Sequence, residues 1–320
     1  MLIRPFVLWI VSAGLMVLGM GAPSAQDYPN KIIRIVTSAA GGGSDFTSRQ
    51  IAQRISGPLG QQVIVENRGS GIVLYEFLAK APPDGYGLVV TGSTFWILPL
   101  LQKVPYDVAR DFLPVSLVVR EVNVVAVHPS VPAKSIAELI ALAQAKPAAL
   151  NYASGSIGGP PHLSAELFKS MAGVNIVHIP HKGIAAAVTA LLAGEVQLLI
   201  SDAGDLMPHI KSGRVRGLAV TSATPSGLVP GLPTVAASGL PGYESIAMTG
   251  IFAPAKTPAA IVTRLNQEVV RFLNRADVKE RFLNAGSEIV ANSPEQFGAT
   301  ITAEIAKWSR VIKDAGIKVD

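Results

Sequence analysis

From Lys31 onwards, short runs rich in β-branched residues alternate with longer stretches whose apolar side chains recur every three or four positions. Ile32–Thr37, Gln62–Glu66, Gly87–Thr91, Asn123–His128, Leu150–Ala153, Asn175–Ile179, Val196–Ser201 and Gly217–Thr221 read as strands. Between them, spacings such as Ile51, Ile55, Leu59 and Leu163, Leu167, Met171 place one apolar stripe along a helix. Strands separated by helices of this length are joined by crossovers rather than hairpins, so the pattern predicts parallel βαβ units and an α/β fold.

The last part of the chain has a different pattern. Two long helical stretches, Pro258–Asn274 and Pro294–Ala315, flank a short strand at Glu288–Val290. Each proline follows a residue able to cap a helix, Thr257 and Ser293. These helices have no strand set of their own to cover, so they are expected to return to the first lobe. Strand-like, proline-bounded runs near Val122–His128 and Ser245–Pro254 are the expected crossings between two lobes, and a double crossing makes a hinge. The resulting division is residues 26–124 with 250–320 as lobe I, and residues 125–249 as lobe II.

Composition narrows the class. Arg4 precedes an apolar run from Pro5 to Gly21 and the small-residue segment Ala22–Ala25, the layout of a secretory signal peptide over residues 1–25. The protein is therefore expected outside the cytoplasm. Cysteine is absent, which excludes disulfides, thiolate metal sites and cysteine nucleophiles. The formal charge of +5 comes from scattered lysines and arginines, not the one-sided basic face that nucleic acid demands. No metal or other cofactor is expected, and the protein is expected to be a monomer.

Four segments place small residues between a strand and a helix. Ser38, Ala39, Gly41, Gly42, Gly43, Ser44 and Asp45 follow the first strand, with Ser44 or Asp45 as N-cap; their glycines permit close approach of backbone to an anion. Ser154, Ser156, Ile157 and Gly158 repeat the design after Leu150–Ala153, and His162 beyond them points either into a cleft or into the core. His181, Lys182 and Gly183 form the third segment, in which Lys182 is either a ligand contact or a solvated cation. Ser201 and Asp202 close the fourth, where Asp202 and Asp205 are either site groups or helix caps. Donors at the carboxyl ends of strands in both lobes point to a shared crevice for a ligand.

At these segments the sequence resembles the substrate-binding receptors of tripartite tricarboxylate transporters, the Bug family. The resemblance rests on AAGGGSD at Ala39–Asp45, VENR at Val65–Arg68, APPDGY at Ala81–Tyr86 and VPYD at Val104–Asp107. It continues through HPSVPAKS at His128–Ser135, LNYASG at Leu150–Gly155, PPHLSAELF at Pro160–Phe168 and LAVTS at Leu218–Ser222. LPTVAASGLPGYE at Leu232–Glu244 and FAPAKTP at Phe252–Pro258 extend it towards the end. It implies a two-lobed periplasmic-binding-protein-like fold of type II, a Venus flytrap in which each lobe is a sheet flanked by helices. It also implies delivery of a small organic acid to a membrane permease, the carboxylate being held through waters and backbone donors of both lobes, with Ser93 and Thr94 adding contacts. Three departures bear on the ligand: a short Gly69–Leu74 segment after VENR, His181 where a tyrosine is usual, and Ser201 where many members carry an aspartate.

Two rival readings remain at this level. The same fold serves a ligand sensor for a signalling partner, since both uses need closure on a ligand. A secreted serine hydrolase would draw a nucleophile from Ser38, Ser44, Ser154 or Ser156 and a base from His162 or His181, but no GxSxG elbow is present.

Overall fold

A computed structural model describes residues 28–38, 40–68, 72–155 and 157–317. The expected signal peptide, Ala39, Ser156 and the first half, Gly69–Gly71, of the short Gly69–Leu74 segment lie outside the described residues. In chain order the elements are β1 (Ile33–Thr37), α1 (Gly43–Leu59), β2 (Val63–Asn67), α2 (Ile72–Ala79), β3 (Gly87–Gly92), α3 (Thr94–Leu101), α4 (Val108–Asp111) and β4 (Phe112–Val127). There follow α5 (Ile136–Ala145), β5 (Asn151–Ser154), α6 (Pro160–Ala172), β6 (Val177–Pro180), α7 (Ile184–Ala193), β7 (Leu198–Asp202), α8 (Ala203–Lys211) and β8 (Arg216–Val220). The chain ends with β9 (Ile246–Pro254), α9 (Ala259–Leu273), α10 (Ala276–Asn284), β10 (Ser287–Ile289) and α11 (Pro294–Ala315).

The strands form two sheets that share one member. The order β2-β1-β3-β9-β4 makes the first, and β4 continues into the second through β7, β5 and β6. Residues Phe112–Val122 of β4 pair with β9, whereas Asn123–Val127 pair with β7. β4 therefore changes sheets between Val122 and Asn123. Asn123 is also where the returning chain is tied: its Nδ2 donates to Ser245 O at 3.4 Å, one residue before β9 begins. The interior of β4 is apolar on both faces because both are covered by helices.

The expected parallel βαβ units are found at β1, β2 and β3 and at β5, β6 and β7, but not where β4 lies. β1 pairs in parallel with β2 and β3, and β5 with β6 and β7. β4 and β9 are antiparallel to their neighbours, because one carries the chain out of the first sheet and the other brings it back. The expected strand at Asn123–His128 is the last third of a 16-residue strand; Pro114, Arg120 and Glu121 hide its first part from a search for β-branched runs.

Helices cover three faces. Ile51 and Ile55 of α1 pack with Leu265, Val269 and Phe272 of α9 and Phe282 of α10 against Ile33, Ile35, Leu88 and Val90. On the opposite face, Trp96, Phe252, Phe297 and Trp308 begin a cluster that runs on to Leu163 and Phe168 of α6. Accordingly α11 touches α6 as well as α3 and β4, so it spans both sheets instead of serving the first alone. Phe297 seats its ring on Gly250, where an added Cβ would stand 2.2 Å from the ring. The third face, α7 and α8 with Leu191, Leu199 and Leu206, belongs to the second sheet.

The helix starts differ in part from expectation. Ser293 and Gln296 form a reciprocal capping box at α11, with Pro294 in the first turn. At α9 the cap position is Pro258, and Thr257 instead donates its hydroxyl to Pro254 O at 2.8 Å. Neither Ser44 nor Asp45 caps α1; Gly42 does, so both lie in the first turn. Among the described residues no helix is long and apolar enough to cross a membrane.

Candidate ligand-binding site

Where β4 passes between the sheets, the structure holds a cavity of about 350 Å³. The first sheet supplies Gly43 and Ser44 at the start of α1, Gly92, Ser93 and Thr94 where β3 meets α3, Glu121 of β4, and Ala247–Thr249 of β9. Ala285–Ser287, between α10 and β10, close one side. The second sheet supplies Pro160 at the start of α6, then Asp202, Gly204 and Asp205 where β7 meets α8. Four helices thus begin at one cavity; α1, α3 and α8 bring first-turn N–H groups that have no intrahelical partners, while α6 opens on Pro160 and Pro161, which have no N–H, and contributes through its dipole. Their combined partial positive charge favours an anion.

The glycine-rich turn before α1 is held by Asp45. Its carboxylate accepts from Gly41 N at 3.0 Å, Arg49 Nε at 3.1 Å and Asn67 Nδ2 at 2.8 Å, while the same Asn67 nitrogen donates to Ser38 O at 2.7 Å. The Arg49 hydrogen bond, joined by those of Asn67 and Gly41, holds the Asp45 carboxyl down to about 2. Gly41 is left-handed, φ 88°, which swings the turn over and leaves Gly43 facing Glu121. A Cβ on Gly43 would sit 3.1 Å from Glu121 Oε1, so the glycine gives that carboxyl its room.

The second turn is built around a buried stack. His162 and His178 lie nearly parallel with ring centroids 4.2 Å apart, and Tyr152 stacks on His178 at 4.7 Å. His162 Nδ1 accepts the Gly158 N–H at 2.8 Å. Burial lowers the pKa of His162; burial, with the neighbouring His162, brings His178 down to about 4, so both rings are neutral near pH 7. Tyr152 donates to Glu166 at 2.5 Å, and Lys169 pairs with the same carboxylate. Gly155 has no space for a side chain, since a Cβ would meet Ile184 N at 2.7 Å.

Of the residues expected at the site, the structure brings Gly43, Ser44, Ser93, Thr94 and Asp202 together around the cavity. Ser38, Gly41, Gly42 and Asp45 shape the first turn from behind it. Ser154, Ile157, Gly158 and His162 stand outside the lining, where His162 serves as the structural histidine of the turn. Pro160 faces the cavity in their place. His181 donates through Nδ1 to Ile179 O at 2.9 Å beside the edge strand β6, and Lys182 and Gly183 are exposed there. Ser201 is buried and donates to Asp205 at 2.7 Å. Ser154 Oγ lies 2.7 Å from His178 Nε2, but Ser154 is 0 % exposed and offers no surface for attack.

Sequence reading missed Glu121 and the β9 residues Ala247–Thr249, and it left Asp205, which lines the cavity, open between site group and helix cap. Glu121 carried a signal in retrospect: an acid between Val119 and Val122 breaks an apolar strand at a position that solvent does not explain. The β9 residues carried none, because only pairing with β3 and β4 brings them to the cavity floor. Burial raises the Glu121 pKa against a hydrogen bond from Ser287, and Asp205 adds to the rise. Burial, then the charges of Glu121 and Asp205, push Asp202 well above the usual carboxylate range. Among the described residues no cluster of His, Asp or Glu is placed to hold a metal ion.

Comparison with known proteins places this architecture. The family model described as tripartite tricarboxylate transporter family receptor matches residues 47–317. BugT of Bordetella pertussis is 34% identical over 308 residues, covering 94% of each chain. A solved structure described as R. palustris Rpa4515 with adipate superposes with a TM-score of 0.79 at 36% identity, over 91% of this chain and 99% of the other. MatC from Rhodopseudomonas palustris, solved with bound malate, gives 0.74 at 27% identity, over 89% and 100%. With a two-sheet fold, a cavity ringed by helix starts and a family match over most of its length, this chain belongs to the tripartite tricarboxylate transporter family receptors.

Proposed function

We propose that this receptor works in the periplasm, captures a small carboxylate-bearing solute in the cleft between its sheets, and delivers it to the membrane permease of a tripartite tricarboxylate transporter. The observation that carries this reading is the convergence of α1, α3, α6 and α8 on one cavity, which turns peptide N–H groups and helix dipoles from both sheets towards a single point. The adipate and malate held by the two solved relatives supply the ligand class by similarity.

Capture follows from closure. Residues 26–124 with 250–320 act as one body and 125–249 as the other, hinged where β4 passes Asn123 and where Ser245 enters β9. Ser93, Thr94 and the Gly43–Ser44 amides receive the carboxylate, with waters bridging what they do not reach directly. In this reading the protein acts as a monomer and releases its solute chemically unchanged.

Isothermal titration calorimetry of the full chain against mono- and dicarboxylates, beginning with adipate and malate, tests the reading. Saturable one-to-one binding is expected, with a raised melting temperature; a ligand at a hundred times its Kd stabilises by about 2.7 kcal/mol. A panel of small acids that neither releases heat nor shifts the melt would refute it.

A further inference from the structure

The lining of the cavity contains three carboxyls, Glu121, Asp202 and Asp205, and no lysine, arginine or histidine. A site meant only for a dicarboxylate would bring two negative charges against these acids, in a space where burial already disfavours charge. Helix N–H groups answer one anionic end of a ligand. They leave the acids unanswered.

The acids differ in what they are bonded to. Asp205 accepts from Ser201 Oγ at 2.7 Å, and Glu121 has Ser287 as a hydrogen-bond donor. Asp202 occupies the N-cap position of α8, yet its side chain makes no capping bond and has no hydrogen-bond or ion-pair partner among the described residues. The residue is half-buried, and enclosure of its carboxyl raises its pKa well above the usual range. Register explains why it sits beside Glu121: Asp202 pairs with Asn123 on β4, and Glu121 is two residues back on the same face of that strand. Ordinary sheet geometry puts side chains at such diagonal positions about 7–8 Å apart, a gap that one small cation bridges. The three acids are not grouped as ligands of a single metal ion; an organic ammonium, which needs no closed shell of ligands, suits two spaced carboxyls.

We propose that the solute carries an ammonium group as well as a carboxylate: the ammonium is held between Asp202 and Glu121, and the carboxylate at the amides that open α1 and α3. This rests on the receptor reading above and narrows its ligand from organic acids in general to amino-acid-like zwitterions. Asp205 stands behind the pair, adding negative potential through Asp202.

Matched ligand pairs test it. Malate and aspartate differ by a hydroxyl against an ammonium; adipate and 6-aminohexanoate differ by a terminal carboxylate against a terminal CH2–NH3+ group. Calorimetry at neutral pH should find the amino member at least about tenfold tighter in one pair or both. The Asp202→Asn variant should lose about tenfold in affinity for that amino member while keeping or gaining affinity for its partner acid, and Glu121→Gln should move the ratio the same way. Equal or tighter binding of the plain acid in both pairs overturns the ammonium assignment and leaves the receptor reading standing. Failure of all four compounds to bind overturns both. A cooperatively melting Asp202→Asn protein that loses both members of a pair equally, or neither, shows that Asp202 does not read the ammonium, and this too overturns the assignment.

Discussion

Asp45 and Asp202 are both carboxyls at the start of a helix beside the cleft, and their surroundings send them in opposite directions. Asp45 is bonded to Arg49, Asn67 and the Gly41 amide, so its folded pKa falls to about 2. Stability from Asp45 is present above the unfolded carboxylate pKa of about 3.9 and is lost as pH falls towards 2. For Asp202 the folded pKa is raised, so its contribution is full below the unfolded value and is lost as pH rises through the folded one. The unliganded Asp202→Asn protein should therefore melt higher than the parent near pH 7, and the difference should vanish near pH 4. Paired thermal scans across that range check the sign. Gly43→Ala introduces a Cβ 3.1 Å from Glu121 Oε1 and forces that carboxyl to move; affinity for the cognate solute should fall about tenfold or more with little change in the unliganded melt, as titration of the variant would show.

At the scale of elements, the cap of α11 was readable from Ser293 and Pro294 because its hydrogen bonds are local to the sequence; Gln296, which completes the capping box, was added by the structure. Ser293→Ala should cost about 1 kcal/mol, measurable by urea denaturation. The contact of α11 with β9 was not readable, since Gly250 and Phe297 are distant in sequence. Gly250→Ala drives a methyl into the Phe297 ring, 2.2 Å from its nearest atom, and should destabilise by about 1–3 kcal/mol in the same assay. α10 escaped notice because only Val278 and Phe282 mark its buried face, too short a stripe to establish a period. β4 was seen only in its last third for the converse reason: Arg120 and Glu121 look like loop residues until β9 and β10 are placed beside them.

For the molecule as a whole, β4 and the Ser245–Ile246 step carry the chain between the sheets, while α11 lies across both. The proposed closure would therefore bend the chain at Asn123 and slide α6 along α11, a combination of hinge and shear. Small-angle X-ray scattering should show a smaller radius of gyration with saturating ligand than without, and an unchanged profile at saturation would rule out domain closure as the means of capture. The buried Asn123 Oδ1, which has no hydrogen-bond partner among the described residues, sits at this bend. Its amide nitrogen is shared between Ser164 and Ser245 at 3.4 Å each, bonds long enough to exchange as the sheets move.

Local spacing was enough to determine the alternation of strands and helices, the glycine turns at Gly41–Gly43 and around Gly155, and the cap at Ser293, because each is a property of neighbours along the chain. The motifs from Ala39 to Pro258 identified the family by the same kind of information. Which residues meet at the cavity was decided by pairing. Glu121 and Asp202 become neighbours only through the register of β4 with β7, and Ala247–Thr249 reach the floor only through β9. Ser154, Gly158 and His162 stand around a stack of rings from three different elements, β5, α6 and β6. Contacts between residues so far apart depend on how sheets twist and close, and one-dimensional periodicity carries no record of that.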